Sequence, residues 1–152
     1  LLMAASLYSR MLTMAGVPAM MASWISELGA GPYGFFLAYV ICLLILGMFL
    51  DSVSILLIVT PIAVPIAKSF GIDLVHFGIV SIVAVEMGLL TPPFGILVFT
   101  VKASIPDEPD LKNGEIFRGC IPYWIVLLIA IVTIAVFPAL ATWLPNLALA
   151  NP

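Results

Sequence analysis

The sequence predicts an all-α integral membrane protein whose distinctive parts are a helical hairpin and a broken transmembrane helix. Three observations predict it. Of the 152 residues, 64% are apolar and only 9% are charged, where a soluble domain carries about 25% charged residues; the mean hydropathy is +1.29. Uncharged stretches run over 28–50 (23 residues), 52–67 (16), 87–101 (15) and 119–152 (34). A hydrocarbon core needs about 20 helical residues to cross, so the first and last stretches are long enough and the middle two are short. The third observation is where the runs are interrupted: at Asp51, and within a run at Thr91-Pro92-Pro93-Phe94-Gly95.

Residues 1–30 mix apolar positions with Arg10, Thr13, Ser23, Ser26 and Glu27 around Pro18. They read as the end of one membrane helix followed by an amphipathic arm near the interface. The opening Leu1-Leu2-Met3-Ala4-Ala5 has neither an initiator Met nor a basic n-region, so it reads as the interior of a longer membrane protein and not as a signal peptide. Gly29-Ala30-Gly31-Pro32 punctuates the chain. Residues 31–70 then form a helical hairpin with its tip at 51–54, because two apolar helices joined only by Asp51-Ser52 must be antiparallel neighbours. The short second arm, with Pro61 and Pro65, favours a re-entrant hairpin over a spanning pair. Residues 75–105 form one transmembrane helix broken at 91–95. Residues 106–119 are a polar loop, 120–145 the final transmembrane helix, and 146–152 a tail. Lys102, Lys112 and Arg118 place the loop on the cytoplasmic side. By alternation the broken helix runs inward and the hairpin tip points into the membrane. Tyr123, Trp124 and Trp143 fit an aromatic belt at the ends of the last span.

A net charge of −3, with scattered basic residues, excludes nucleic acid as a partner. Cys42 and Cys120 stand in or beside apolar runs, without a metal-ligand spacing and with one histidine in the chain; they read as inert packing residues. No H-E-x-x-H, no G-x-S-x-G and no pair of intramembrane aspartates supports an enzyme.

Two features carry chemistry. Asp51 is an ionisable group at the end of a long apolar helix, where charge is expensive and marks a candidate site. The plainer alternative is that Asp51 or Ser52 caps the second helix. The two are compatible, since a helix N-terminus at membrane depth aims free N–H groups at an anion. In the break, Pro92 and Pro93 lack the N–H groups that would serve the carbonyls of Gly88 and Leu89. A sodium ion, with a hydroxyl from Thr91, is the partner such broken helices take; an ordinary proline kink satisfied by a neighbouring hydroxyl is the alternative. Glu86, five residues before Thr91, is a further candidate for an ion or proton, or the partner of a basic residue elsewhere in the protein. His76 follows a polar turn and reads as interfacial or capping.

Taken in order, Gly47-Met48-Phe49-Leu50-Asp51, Pro61, Pro65, Gly71-Ile72-Asp73, His76-Phe77-Gly78 and Glu86-Met87-Gly88-Leu89-Leu90-Thr91-Pro92-Pro93-Phe94-Gly95 resemble the C-terminal part of the large, DctM-like membrane subunit of tripartite ATP-independent periplasmic (TRAP) transporters. The likeness extends over about residues 1–145. It implies one half of an inverted-repeat, elevator-type transport domain of the ion-transporter superfamily. It implies a sodium-coupled secondary transporter of the bacterial or archaeal inner membrane, importing organic carboxylates of the C4-dicarboxylate, sialic acid or keto-acid type. A small membrane subunit, a periplasmic substrate-binding protein and membrane lipid are the implied partners, and sodium the only ion, with no other cofactor. Carried over by position, Asp51, Ser52, Ser54, Pro92, Pro93 and Gly95 would face substrate, and Gly47, Gly88, Leu89 and Thr91 would hold sodium. The matching first hairpin lies outside this chain. A structural or assembly subunit, or a related symporter without a binding protein, are the alternatives.

Overall fold

The computed structural model describes residues 2–27, 29, 31–92, 95–105 and 112–149. Among them are eight helices: α1 (Leu2–Met14), α2 (Val17–Glu27), α3 (Gly31–Gly47), α4 (Ser52–Ser69), α5 (Leu74–Leu89), α6 (Ile96–Ala103), α7 (Asn113–Val136) and α8 (Ala139–Leu149). The described residues contain no strand.

The centre of the fold is α5, whose buried residues run from His76 and Phe77 through Val80, Ser81, Ala84 and Val85 to Met87, Gly88 and Leu89. A helix this apolar all round is enclosed by other elements. Asp73 starts it: its carboxylate accepts hydrogen bonds from the N–H groups of Val75 (2.9 Å) and His76 (3.0 Å), satisfying two of the donors that a helix leaves free at its start. Gly71, at φ +70°, makes the turn out of α4, and the following Ile72 N–H donates to the Ala67 carbonyl, the return bond of a Schellman-type helix end.

Contacts on two sides set how neighbours lie against α5. On one side α3 runs parallel to it. Tyr39 stacks on Phe77 with ring centroids 4.5 Å apart, and its hydroxyl is 2.9 Å from that of Ser81; further along, Gly47 meets Gly88. On the other side α7 runs antiparallel, with His76 Nε2 2.9 Å from the Ile134 carbonyl at one end and Trp124 bonded to Thr91 at the other. The His76 ring also stacks on Phe36 at 5.3 Å. His76 is therefore a buried tie between α5 and α7, and not an interfacial residue. The second hairpin arm, α4, returns antiparallel to α3, bringing Phe70 to within 5.7 Å of Phe35. Helices α1 and α2 pack on α4.

The structure departs from the sequence reading in three ways. First, the hairpin arms are nearly equal, 17 residues in α3 and 18 in α4, or about 26 and 27 Å. Residues before Gly31 and the turn at 48–50 take up the ends of the first uncharged run, while Lys68 and Ser69 extend the second helix. By length and composition α4 and α7 are long and apolar enough to cross a membrane, so a short second arm no longer argues for re-entrance. Pro61 and Pro65 sit inside a continuous α4. Second, the loop expected at 106–119 is helical from Asn113, where the Glu115 carboxylate accepts from the Lys112 N–H at 3.2 Å, half of a capping box. Residues 106–111 lie outside the described residues. Third, the final helix ends at Val136, because Pro138 offers no N–H and disfavours helical geometry at Phe137; α8 follows as a separate helix and takes in most of the expected tail.

Apolar side chains cover the outside as well. On α7, Ile121, Ile125, Val126, Ile129, Val132 and Val136 are all exposed, a stripe that water-soluble proteins avoid. Cys42 and Cys120 are both free thiols.

The closest packing predicts its own test. A Cβ on Gly88 would lie 2.8 Å from the Gly47 Cα and 2.9 Å from the Leu44 carbonyl oxygen, whereas one on Gly78 of the same helix meets nothing within 4 Å. Replacing Gly88 by Ala in the full-length permease is expected to destabilise it by about 1–3 kcal/mol through overpacking. Gly78→Ala is expected to be neutral or slightly stabilising. Thermal unfolding in detergent, followed by the loss of the monodisperse species, distinguishes the two.

Candidate functional site

The site is built where two helices end. Gly47 is the last residue of α3 and Gly88 the penultimate residue of α5, and the two chains touch there. A side chain on either glycine would collide with the other's backbone. The parallel helices therefore bring two C-terminal ends together, with the Leu44 and Val85 carbonyls at the crossing. Helix C-termini carry partial negative charge, so this crossing favours a cation.

Each helix then gives way to irregular backbone. After α3, the N–H groups of Phe49 and Leu50 both turn back onto the Leu46 carbonyl, and the chain reaches Asp51. Its extended backbone (φ −72°, ψ 157°) makes it the N-cap of α4, and its carboxylate accepts from the Ser54 N–H at 3.0 Å. The capping alternative is thus the observed geometry. Asp51 is exposed, with Ser52 and Ser54 half-buried behind it in the first turn of α4. The positive end of that helix faces the same tip.

After α5, the Leu90 N–H donates to the Met87 carbonyl at 3.2 Å and the Thr91 N–H to the Gly88 carbonyl at 2.9 Å. The Gly88 oxygen is therefore not left unpaired by Pro92: a tighter i→i+3 turn reaches it before the proline matters. Leu89 differs, because the residues three and four further on are Pro92 and Pro93, neither of which has an N–H to give. Thr91 is half-buried. Its hydroxyl donates to the Met87 carbonyl at 2.7 Å and accepts from Trp124 Nε1 at 3.0 Å. A hydroxyl has one proton and two lone pairs, so one lone pair is left to meet a cation.

Pro92 is exposed at the break. Pro93 and Phe94 lie outside the described residues. Gly95 closes the break before α6: its N–H donates to the Thr91 carbonyl at 3.2 Å, its φ is +29°, and a Cβ there would come within 3.0 Å of the Phe117 ring. The glycine is thus demanded by backbone conformation and by contact with α7, and it is buried. Glu86 lies on the narrow exposed stripe of α5 together with Val75 and Ile82. A cavity of about 520 Å³ opens beside the break, lined by Thr91, Pro92, Phe117, Arg118, Ile121 and Trp124 among others. Among the described residues no three His, Cys, Asp or Glu side chains gather as a metal site; the oxygens at the break are carbonyls and a hydroxyl, and the hairpin tip adds the Asp51 carboxylate.

Sequence reasoning singles out Asp51, Gly88, Leu89, Thr91 and Gly95 but places Trp124, which bonds Thr91, in an interfacial belt. Nothing in the local pattern around Trp124 points to a residue 33 positions away.

Residues 1–140 match the family model described as "Tripartite ATP-independent periplasmic transporter, DctM component". The chain is 38% identical over 142 residues to the C4-dicarboxylate TRAP transporter large permease protein DctM of Pseudomonas aeruginosa, covering 93% of this chain and 32% of that protein. It is 34% identical over 131 residues to the sialic acid TRAP transporter large permease protein SiaM of Vibrio cholerae, covering 86% and 30%. With the 2,3-diketo-L-gulonate TRAP transporter large permease protein YiaN of Escherichia coli it shares 33% identity over 130 residues, covering 86% and 30%. The chain spans about a third of the length of these relatives.

The cap makes a prediction that separates geometry from charge. Asp51→Ala removes the acceptor for the Ser54 N–H and is expected to weaken the first turn of α4 by about 1 kcal/mol, whereas Asp51→Asn retains a good cap. Hydrogen exchange at the Ser54 amide should speed up in the first variant and stay close to the parent rate in the second.

Proposed function

The chain belongs to the DctM-component family of tripartite ATP-independent periplasmic transporters, and on that premise we propose that it is the C-terminal transport half of a sodium-coupled large permease subunit importing organic carboxylates. The substrate class follows the relatives, whose names specify C4-dicarboxylate, sialic acid and diketogulonate; all are organic acids. The complete protein works in the inner membrane with a small membrane subunit and a periplasmic binding protein that delivers the substrate. Its fold is an elevator-type domain of two inverted repeats, of which this chain supplies the second, with α3 and α4 as a re-entrant hairpin whose mouth opens outward and with residues 106–119 on the cytoplasmic side.

The observation that supports the reading best is the shared origin of the two irregular segments. The hairpin turn leaves α3 after Gly47 and the break leaves α5 after Leu89, both from one helix crossing. Negative helix ends and the spare oxygen capacity of Leu89 and Thr91 favour a sodium ion on that side. The starts of α4 and α6 face the opposite need, since helix N-termini stabilise anions. In the proposed cycle sodium binds first between the Gly47 turn and the Thr91 break. It draws the two segments into one arrangement, and the completed pocket accepts a carboxylate at the Asp51–Ser54 end, where the ion's charge offsets that of Asp51. Coupling is then a difference in sodium affinity between the ordered and disordered pocket.

Uptake by the complete transporter in proteoliposomes tests this. Asp51→Asn keeps the cap and removes the charge; Thr91→Val keeps the shape and removes the hydroxyl. Each is expected to lower sodium-driven uptake by about tenfold or more at a sodium concentration that half-saturates the parent. Unchanged uptake in both would place the ion and the substrate elsewhere.

A further inference from the structure

We propose that Trp124 is a positioning residue for the ion site, holding the Thr91 hydroxyl so that its one uncommitted lone pair points at the cation. The inference rests on the reading of Thr91 as a sodium ligand given above.

The geometry leaves little freedom in the sense of these bonds. An indole N–H donates and never accepts, so the 3.0 Å contact from Trp124 Nε1 makes Thr91 Oγ1 the acceptor. The threonine proton therefore goes the other way, to the Met87 carbonyl at 2.7 Å. Back-bonding to the carbonyl four residues earlier is the ordinary habit of threonine in a helix. Thr91, however, lies beyond the last residue of α5, at a point where the following prolines can add no helical hydrogen bond. One bond leaves the hydroxyl free to swing about its Cα–Cβ axis with the loosened backbone. A second bond, from a different helix, holds it.

The same bond answers a need of Trp124. Its neighbours along α7 are Ile125, Val126, Leu127 and Leu128, and the ring is half-buried and packed against the apolar core. An indole N–H in such surroundings seeks an acceptor, and the break supplies it. Tyr123 and Trp143 remain exposed, at 69% and 66%, as belt residues would be; Trp124 alone of the three is turned inward. Because α7 is anchored to α5 at its other end through His76 and the Ile134 carbonyl, the indole is presented from a helix fixed at two points. Sodium affinity then depends on a residue that does not touch the ion, since a hydroxyl already oriented loses less freedom on binding.

The test uses the complete large and small subunits, purified in detergent, and sodium alone as the probe. Thermal stability is measured against sodium concentration at constant ionic strength, with choline as the replacement cation, since a ligand of the folded state raises stability as it saturates. For Trp124→Phe the half-saturating sodium concentration is expected to rise about three- to tenfold, the effect of one lost hydrogen bond. Thr91→Val is expected to lose most of the sodium response, and the double variant to be no worse in that response than Thr91→Val alone. A lower stability of Trp124→Phe at every sodium concentration, with an unshifted half-saturation point, would show a purely structural role and overturn the proposal. If Thr91→Val retains the parent sodium response, the ligand reading itself fails and takes the inference with it. If Thr91→Val shifts and Trp124→Phe does not, the ligand reading stands and the positioning role alone is wrong. Should Trp124→Phe fail to assemble, benzothienylalanine at position 124 removes the N–H while keeping the bicyclic shape, and the same outcomes apply.

Discussion

Everything near the site depends on the contact between Gly47 and Gly88. Two helices packed through ordinary side chains lie 8–10 Å apart; here backbone meets backbone, and a single added methyl group on either side would fall 2.8 Å from the opposing Cα. The consequence is positional. Because α3 and α5 are parallel, the contact joins their C-terminal ends, and the two departures from helical geometry begin within a few residues of it. A hairpin turn and a broken helix that are remote in sequence thus start from one crossing. The ladder of contacts behind the crossing, from Phe35 and Tyr39 against Phe77 to Tyr39 against Ser81, keeps the helices in register, so that the glycines meet and not their neighbours.

How much of this was legible in the sequence depended on whether the physics was local. Composition identified the solvent. Asp51 as a cap and the interruption at Thr91 to Gly95 were readable because a carboxylate after an apolar helix, and two consecutive prolines, act on their own few residues. The lengths of the arms were misjudged, since charge-free runs count turn residues as though they were helix and stop at lysines that a helix end tolerates. The start of α7 at Asn113 was hidden by the polarity of its first turn, and its end at Val136 by the apolar residues that continue past Pro138. Gly47 was singled out only through a family resemblance, and Gly88 for its carbonyl and not for its packing. Their role in packing needs the partner helix, which no window of sequence contains.

The chemistry of the break is also less open than two prolines suggest. The chain recovers most of what they remove: the Gly88 carbonyl is reached by the Thr91 N–H, the Met87 carbonyl by both Leu90 and the Thr91 hydroxyl, and the Thr91 carbonyl by Gly95. What remains among the described residues is narrow, one lone pair of a hydroxyl and a Leu89 carbonyl that neither Pro92 nor Pro93 can serve. On the sodium reading, the ion would complete its shell with further oxygens from the hairpin turn.

In the proposed cycle, that incompleteness is what would make coupling possible. Were the break fully satisfied by its own chain, an ion would gain nothing by binding; were it fully open at membrane depth, each unpaired carbonyl would cost several kcal/mol and the helix would not persist without the ion. The observed arrangement lies between these limits. The break is held from α7 by Trp124 and closed by Gly95 against Phe117, and on the reading proposed above its remaining oxygen capacity is what a second segment and a cation would use together. A differential of this kind is the one physical means by which an ion gradient can favour one state of a pocket over another, because an ion that bound both states equally would drive neither.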